Sequence, residues 1–249
     1  MYILRSLLAA LALTAATCLP TTIAAPAAAA TPPVIRVMPL GDSITAGLGS
    51  TTGAGYRLPL WQRAAAQTRY RIDYVGGQNA GAVPDADHEG HRGWHISQIR
   101  AEIDGLLTTA QPTYVLLHIG INDLAWGANP QTAADALTDL IDRIQARQPG
   151  VTILLLGLIP TTQGLQQPVA AYNQRAAGIA RPRLHYLGAP ALTIGEMADS
   201  LHPNDVGYAR LADTLYTELT RREIARQRAT GTQPTAPTGW TPTAPAPRR

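Results

Sequence analysis

The feature that most constrains this chain is the alternation of short, continuous apolar runs with longer amphipathic segments. The amphipathic segments repeat apolar residues at steps of three and four, which is the period of an α-helix. Continuous apolar strands joined through helices indicate a parallel sheet covered by helices on both faces. We therefore predict an α/β fold with three layers, α/β/α, around a central, mostly parallel sheet of about five strands. The strands are expected at 34–38, 71–75, 114–119, 151–156 and 184–187, and the helices at 55–67, 96–106, 130–148, 170–180 and 208–219.

The two ends of the chain differ in composition from the body and set the predicted boundaries. Arg5 precedes an apolar run from Leu7 to Leu19, and small residues follow up to position 30. That order is typical of a secretory signal peptide; the alternative is a retained N-terminal anchor, although the run is shorter than the ~20 residues of a membrane span. Residues 229–249 are rich in Thr and Pro, which predicts an extended tail or linker. We predict a signal peptide at 1–30, one folded domain at 31–228 and a tail at 229–249, and hence an extracellular protein.

The charge of the folded body limits the kinds of partner it can have, and its cysteine content limits how it can be stabilised. The formal net charge of the chain is +3, but residues 221–249 alone carry +5 and residues 31–220 carry −3. A nucleic-acid-binding domain carries positive charge on its folded surface, so no nucleic-acid partner is expected. After cleavage of the predicted signal peptide, no stable membrane association is expected either. Cys18, the only cysteine, lies in the predicted signal. The body is therefore expected to be stabilised by its core, without a disulfide.

Four short polar segments follow predicted strands or precede the last predicted helix. In a parallel sheet the carboxyl ends of the strands meet at one edge, where functional groups collect. We therefore expect the four segments to lie close together. They are Gly41-Asp42-Ser43-Ile44-Thr45, Gly90-His91-Arg92-Gly93-Trp94, Gly120-Ile121-Asn122-Asp123 and Asp199-Ser200-Leu201-His202-Pro203.

The residue types in these segments complement one another for acyl transfer. A serine hydroxyl such as that of Ser43 needs a base to take its proton, and His202, oriented by Asp199 three residues earlier, is suited to that task. Acyl transfer also needs donors for the developing oxyanion. The backbone N–H groups of Ser43 and Gly93 and the side-chain amide of Asn122 are the candidates.

The four segments, in this order, resemble those of the GDSL-type SGNH hydrolases. The resemblance spans residues 34–225 and implies a flavodoxin-like three-layer fold without a cofactor. It also implies Ser43 as nucleophile, Asp199 and His202 as its partners, and Ser43, Gly93 and Asn122 as oxyanion donors. Gly90 is the alternative oxyanion glycine; Gly93 is preferred because it directly precedes a predicted helix.

Finer features resemble the third family of carbohydrate esterases, whose members are typically acetylxylan esterases. The features are Gly55-Tyr56-Arg57, Val75-Gly76 and the run from Asp87 to Trp94, while Ile121 departs from the Thr of many relatives. The candidate substrate contacts are Asp42, Tyr56, Arg57, Trp94 and Trp126. Asp42 and Asp123 are also interpreted as acceptors that order their loops, and the two tryptophans either form a platform for a sugar ring or pack as walls.

The histidines between positions 88 and 95 raise the question of a metal site. His88-Glu89-Gly90-His91 is one residue shorter than the spacing of the zinc proteases, and the segment is predicted to be a loop. A polar loop that lines the cleft is the favoured interpretation, with no metal. His118 lies in an apolar run and is predicted to be a core residue.

The predicted function is that of a secreted serine esterase that removes small acyl groups, with acetyl expected, from a polysaccharide such as xylan. One alternative is a lysophospholipase or broad arylesterase on the same scaffold. Another is a secreted carbohydrate-binding protein without catalysis, which the complete set of Ser43, Asn122, Asp199 and His202 argues against.

Overall fold

A computed structural model describes residues 31–161 and 164–231 of the chain. The predicted signal peptide, and all of the predicted tail beyond residue 231, lie outside the described residues. The strands are β1 (Val34–Gly41), β2 (Arg71–Tyr74), β3 (Gln78–Asn79), β4 (Asp87–Gly90), β5 (Tyr114–His118), β6 (Thr152–Leu156) and β7 (Leu184–Leu187). The helices are α1 (Ser43–Ala46), α2 (Arg57–Ala65), α3 (Ile96–Ala110), α4 (Ile121–Ala125), α5 (Pro130–Arg147), α6 (Gln166–Ala177) and α7 (Asp205–Thr230), with a short 3-10 helix at Ile194–Glu196.

The described strands form one seven-stranded sheet with β1 near its centre. The order is β3-β4-β1-β5-β6-β7, and β2 pairs with the first half of β1 while β4 pairs with its end, at Leu40 and Gly41. Every pairing is parallel except that of β3 with β4. The carboxyl ends of β1, β4 and β5 consequently meet at one edge.

Successive residues of the central strands point into two separate apolar cores, because side chains alternate between the faces of a strand. In β6, Ile153 and Leu155 belong to the core beneath α3, α5 and α6, whereas Leu154 and Leu156 belong to the core beneath α2 and α7. Both faces of the sheet are therefore covered, and the predicted three-layer α/β/α fold is confirmed.

The strand count is where the structure departs from the sequence-based prediction. The sheet has seven strands rather than about five, because β3 and β4 form from the polar stretch 78–90 that was interpreted as loop. Four-residue α1 and five-residue α4 were also not predicted, and α7 continues to Thr230, two positions past the predicted domain end. Within the described ranges, no helix combines the length and apolarity needed to cross a membrane.

Helix α1 begins at a buried carboxyl group. The Asp42 side chain accepts a hydrogen bond from the Ile44 N–H at 3.0 Å, so it caps the helix that starts with Ser43. Its second oxygen, Oδ2, is buried without a partner among the described residues. Burial raises the pKa of the Asp42 carboxyl to about 7, and nearby Asp123 adds to the rise while the Ile44 N–H opposes it.

The raised pKa of Asp42 predicts a specific pH dependence of stability. Between its ordinary pKa of 3.8 and about 7, the folded chain holds a proton on Asp42 that the unfolded chain has lost. Stability must therefore fall as the pH rises through that window. Asp42→Asn has no titratable group at this position, so its unfolding free energy lacks this pH dependence. Between pH 4 and 7.5, the unfolding free energy of the unmodified protein should therefore fall by about 2–4 kcal/mol relative to that of the variant. Urea unfolding at half-unit pH intervals measures this, and parallel curves for the two proteins would contradict it.

Candidate active site

Ser43, His202 and Asp199 form one line of hydrogen bonds at the carboxyl edge of the sheet. Ser43 Oγ lies 2.9 Å from His202 Nε2, and His202 Nδ1 lies 2.8 Å from Asp199 Oδ2. The nucleophile, base and orienting carboxylate of a serine hydrolase require this arrangement. The structure therefore brings together the three residues that the sequence singled out.

The loop before α7 holds the Asp-x-x-His segment in a local fold of its own. Met197 and Pro203 form an antiparallel bridge across it, and Asp199 Oδ1 accepts the N–H groups of Leu201 and His202 at 2.7 and 2.8 Å. Partial burial alone would raise the pKa of Asp199, but these N–H donors and the His202 imidazole outweigh it and hold the pKa below its ordinary value. Asp199 is thus kept as a carboxylate facing the imidazole.

The Gly93 N–H is free because residues 91–94 form a tight turn, here called the oxyanion turn. Trp94 N donates to His91 O at 3.1 Å, and Gly93, the third residue, has φ +77°. A type II turn requires a positive φ at that position, which glycine adopts readily. The Gly93 N–H makes no hydrogen bond to any described residue, whereas the Gly90 N–H donates to His88 Nδ1 at 2.9 Å. This difference favours Gly93 over Gly90 as the donor glycine.

Asn122 reaches the oxyanion turn from the other side. It lies in α4, directly after β5, and its Nδ2 donates to Trp94 O at 2.8 Å. Since a side-chain amide has two N–H groups, a second one is left for a ligand. The next residue, Asp123, accepts from the Ile96 N–H at 3.2 Å and so orders the start of α3, in agreement with its interpretation as a loop acceptor.

Three predicted substrate contacts are wrong, because their side chains are buried. Asp42 caps α1, and the Tyr56 hydroxyl donates to Thr45 Oγ1 at 3.3 Å inside the core beneath α2 and α7. Arg57 is also fully buried and donates to backbone carbonyls, including that of Ala80 at 2.9 Å. Burial lowers the pKa of its guanidinium, and none of the three side chains can contact a ligand in this conformation.

The two tryptophans beside the site differ in exposure. Trp94 is half-buried, packs against the core beneath α3, and has one face stacked on His91 with ring centroids 3.9 Å apart. Trp126 is 82% exposed and meets His95 edge-on, with ring centroids 5.7 Å apart. Trp94 is therefore a wall residue, and Trp126 has the free faces that a platform needs.

The histidines that raised the metal question are engaged separately. His88 accepts the Gly90 N–H, and His91 Nε2 lies 2.9 Å from Glu89 Oε2. Burial, with Arg57 nearby, lowers the pKa of His88 to about 3, so it is neutral at physiological pH. Across the ranges that the structure describes, no group of three or more potential metal-ligating side chains comes together.

Buried His118 lies where the sequence analysis placed it, in the core at the end of β5. Burial lowers its pKa to about 4, and neither ring nitrogen has a hydrogen-bond partner among the described residues. Its neutral ring therefore takes no visible part in the line of hydrogen bonds from Ser43 to Asp199.

The support of the oxyanion turn is a feature that the sequence did not reveal. The sequence assigns Glu89 and His91 to a polar loop that lines the cleft, with a metal site as the alternative, yet the two residues pair with each other next to the turn. The available signal was their spacing, because residues i and i+2 of an extended segment face the same side.

Comparisons with known proteins show the family and the fold to which this chain is similar. The model of the GDSL-like Lipase/Acylhydrolase family matches residues 40–210, which include all four site segments. A family 3 carbohydrate esterase from Clostridium thermocellum is 32% identical, with a TM-score of 0.69 over 78% of this chain and 98% of that one. A carbohydrate esterase of family 3 from Talaromyces cellulolyticus has the same fold, at 24% identity and a TM-score of 0.66 over 77% of this chain and 99% of that one.

A multidomain esterase from Ruminococcus flavefaciens is 25% identical over 238 residues. The alignment covers 82% of this chain but only 31% of that protein, so the chain spans about a third of the length of this relative. The match of the family model over most of the chain confirms the predicted resemblance: the chain belongs to the GDSL-like lipase/acylhydrolase family of carboxylic ester hydrolases.

Proposed function

We propose that this protein is a serine esterase that works through an acyl-enzyme. His202 Nε2 takes the proton of Ser43 Oγ as that oxygen attacks the ester carbonyl, and Asp199 stabilises the imidazolium. The imidazolium then protonates the leaving alcohol, and water releases the acyl group by the same steps in reverse. The observation that carries the proposal is the unbroken line from Ser43 Oγ to His202 at 2.9 Å and on to Asp199 at 2.8 Å.

The oxyanion that forms on the carbonyl oxygen needs donors that are already in place. Ser43, as the first residue of α1, has a backbone N–H without an intrahelical partner. The Gly93 N–H and the second N–H of Asn122 Nδ2 are the other two proposed donors. Preorganised donors of this kind stabilise charge that develops in the transition state.

The proposed substrate is a small acyl ester, above all acetyl, on a polysaccharide such as xylan. Support for a short acyl group comes from the tight packing behind the site. The space between Ile44, Ile121 and Leu201, the direct neighbours of three site residues, is too narrow even for a water molecule. The described residues therefore offer no internal channel there for a long acyl chain. Support for a carbohydrate comes from the exposed Trp126 and from the similarity to a family 3 carbohydrate esterase.

We also propose that the enzyme is exported. Support comes from the composition of residues 1–30, where Arg5 precedes an apolar run and small residues follow. A polysaccharide substrate agrees with that location, because such a polymer lies outside the cell.

Removal of the Ser43 hydroxyl tests the nucleophile. Ser43→Ala should lower kcat on the order of 10⁶-fold, as the loss of the nucleophile does in other serine hydrolases, and should leave the fold intact. Ser97→Ala, on the exposed surface of α3, is the matched control and should keep full activity. More than a few per cent of residual activity in a clean preparation of Ser43→Ala would rule out Ser43 as nucleophile.

Kinetics of Asn122 variants test the oxyanion hole. Asn122→Ala should cost about 3 kcal/mol, or roughly 10²–10³-fold in kcat, with KM nearly unchanged, because the bond forms only in the transition state. Asn122→Asp should be at least as harmful, since a carboxylate would face the developing charge. Trp126→Ala should instead raise KM for an acetylated polysaccharide and spare kcat on a small synthetic acetate. If Asn122→Ala mainly raises KM, Asn122 is a substrate contact.

Chain-length dependence tests the acyl group. On synthetic esters of one alcohol, the lack of an internal acyl channel behind the described site residues predicts that kcat/KM for the two-carbon acyl group exceeds that for the eight-carbon group by at least tenfold. Acetate release from acetylated xylan, mannan, pectin and chitin oligomers then identifies the polysaccharide. A preference for the eight-carbon ester would favour a lysophospholipase or broad arylesterase.

A further inference from the structure

The oxyanion turn is tied to the sheet by a buried carboxylate, and we propose that Glu89 is a positioning residue for the oxyanion hole. This inference rests on the proposed function, because it takes Gly93 and Asn122 as the oxyanion donors. Glu89 acts through His91 and Trp94, and it does not touch the substrate.

Glu89 is anchored at the end of β4, where it pairs with Leu40 of β1, and its side chain is only 2% exposed. One carboxylate oxygen accepts the Gly77 N–H, and the other lies 2.9 Å from His91 Nε2. Among the described residues, His91 is the one basic side chain within ion-pair distance of Glu89. A carboxylate is costly to bury, and apolar residues in place of a whole buried pair often give a protein that is no less stable. Its presence at this point is therefore better explained by what it orients than by stability.

His91, the first residue of the oxyanion turn, connects the Glu89 carboxylate to Trp94, the last residue of the turn. His91 N donates to Gly41 O at 2.9 Å, and the His91 ring lies on the Trp94 indole with an angle of 12° between the planes. Gly93 between them has open space around it, since a Cβ added there would meet nothing within 4 Å. The direction of the Gly93 N–H therefore depends on the turn, and the turn depends on His91.

The same contacts reach the second donor. Trp94 O accepts one N–H of Asn122 Nδ2 at 2.8 Å, which sets the direction of the other. A single chain of contacts thus runs from Glu89 through His91 and Trp94 to Asn122. Oxyanion donors act only at the correct distance and angle, so a shift of about 1 Å in this chain should reduce the rate on the order of 10²-fold.

Matched variants of two buried glutamates test this role. Glu89→Met keeps the length of the side chain but lacks both acceptors, and it should lower kcat at least tenfold on a small synthetic acetate, with KM within about twofold. Glu89→Gln should restore most of the loss, because its amide keeps one acceptor for Gly77 and can donate to the other tautomer of His91. The control is Glu223→Met, a change of another buried carboxylate, which pairs with Arg226 and accepts from the hydroxyl of Tyr114 at the start of β5. It should destabilise the protein and leave kcat unchanged.

His91→Phe provides a second, independent variant if Glu89→Met does not fold. Phenylalanine keeps a ring to stack on Trp94 but cannot bond to Glu89, so the same loss of kcat at constant KM is expected. The proposal is overturned if the folded variants keep kcat within twofold of the unmodified protein, or if KM rises while kcat is spared. Activity that survives in Ser43→Ala would instead overturn the proposed function. An inactive Ser43→Ala beside a fully active His91→Phe would overturn the positioning role alone.

Discussion

The site depends on the close approach of β1 to its neighbours at the carboxyl edge of the sheet. A Cβ added to Gly41 would lie 2.0 Å from the backbone oxygen of His118 in β5, so any side chain there would push the two strands apart. On its other side the end of β1 pairs with β4, where Gly41 lies opposite Gly90. The glycine before Asp42 and Ser43 is therefore required by packing. It lets three strands end together, and the nucleophile and both proposed oxyanion segments begin within a few residues of those ends.

A buried guanidinium holds the loops around this edge. Arg57 donates to the carbonyls of Ala80 and Ala86, at 2.9 and 3.1 Å, and makes longer contacts with those of Gly53 and Ala46. These carbonyls belong to the end of α1, to the segment before α2 and to the two ends of the loop that joins β3 to β4. The planar guanidinium has five N–H donors in a fixed geometry, which a lysine could not reproduce. Arg57 thus docks the hairpin that carries Glu89 against the helix that carries Ser43, without facing the substrate.

The parts of the fold that sequence could predict are those held by apolar burial. Strands covered on both faces must be continuously apolar, and the helices that cover them must be amphipathic. These elements can therefore be recognised in the sequence by the spacing of their apolar residues. The β3–β4 hairpin has no such pattern, because its residues are polar and the register of β4 comes from backbone pairing with β1. Buried Glu89 in β4 finds its hydrogen-bond partners nearby, in Gly77 and His91. The sequence-based assignment of Tyr56 and Arg57 as substrate contacts fails for a related reason. Their types suit sugar recognition, and only the direction in which α2 packs turns them inward.

The same reasoning divides the site into two halves that differ in how they are built. The acid–base half is local: Asp199 orders the backbone of its own loop and contacts His202 three residues later, although its side chain is 52% exposed. Four consecutive residues therefore carry most of its geometry, and a short motif is enough to predict it. The proposed oxyanion half is assembled from β4, the oxyanion turn and α4, which are joined by contacts that run from the 2%-exposed side chain of Glu89 through His91 and Trp94 to Asn122. No short motif describes such an assembly, because its contacts join residues of different elements. The residues that support the proposed oxyanion donors are thus harder to predict than the donors themselves.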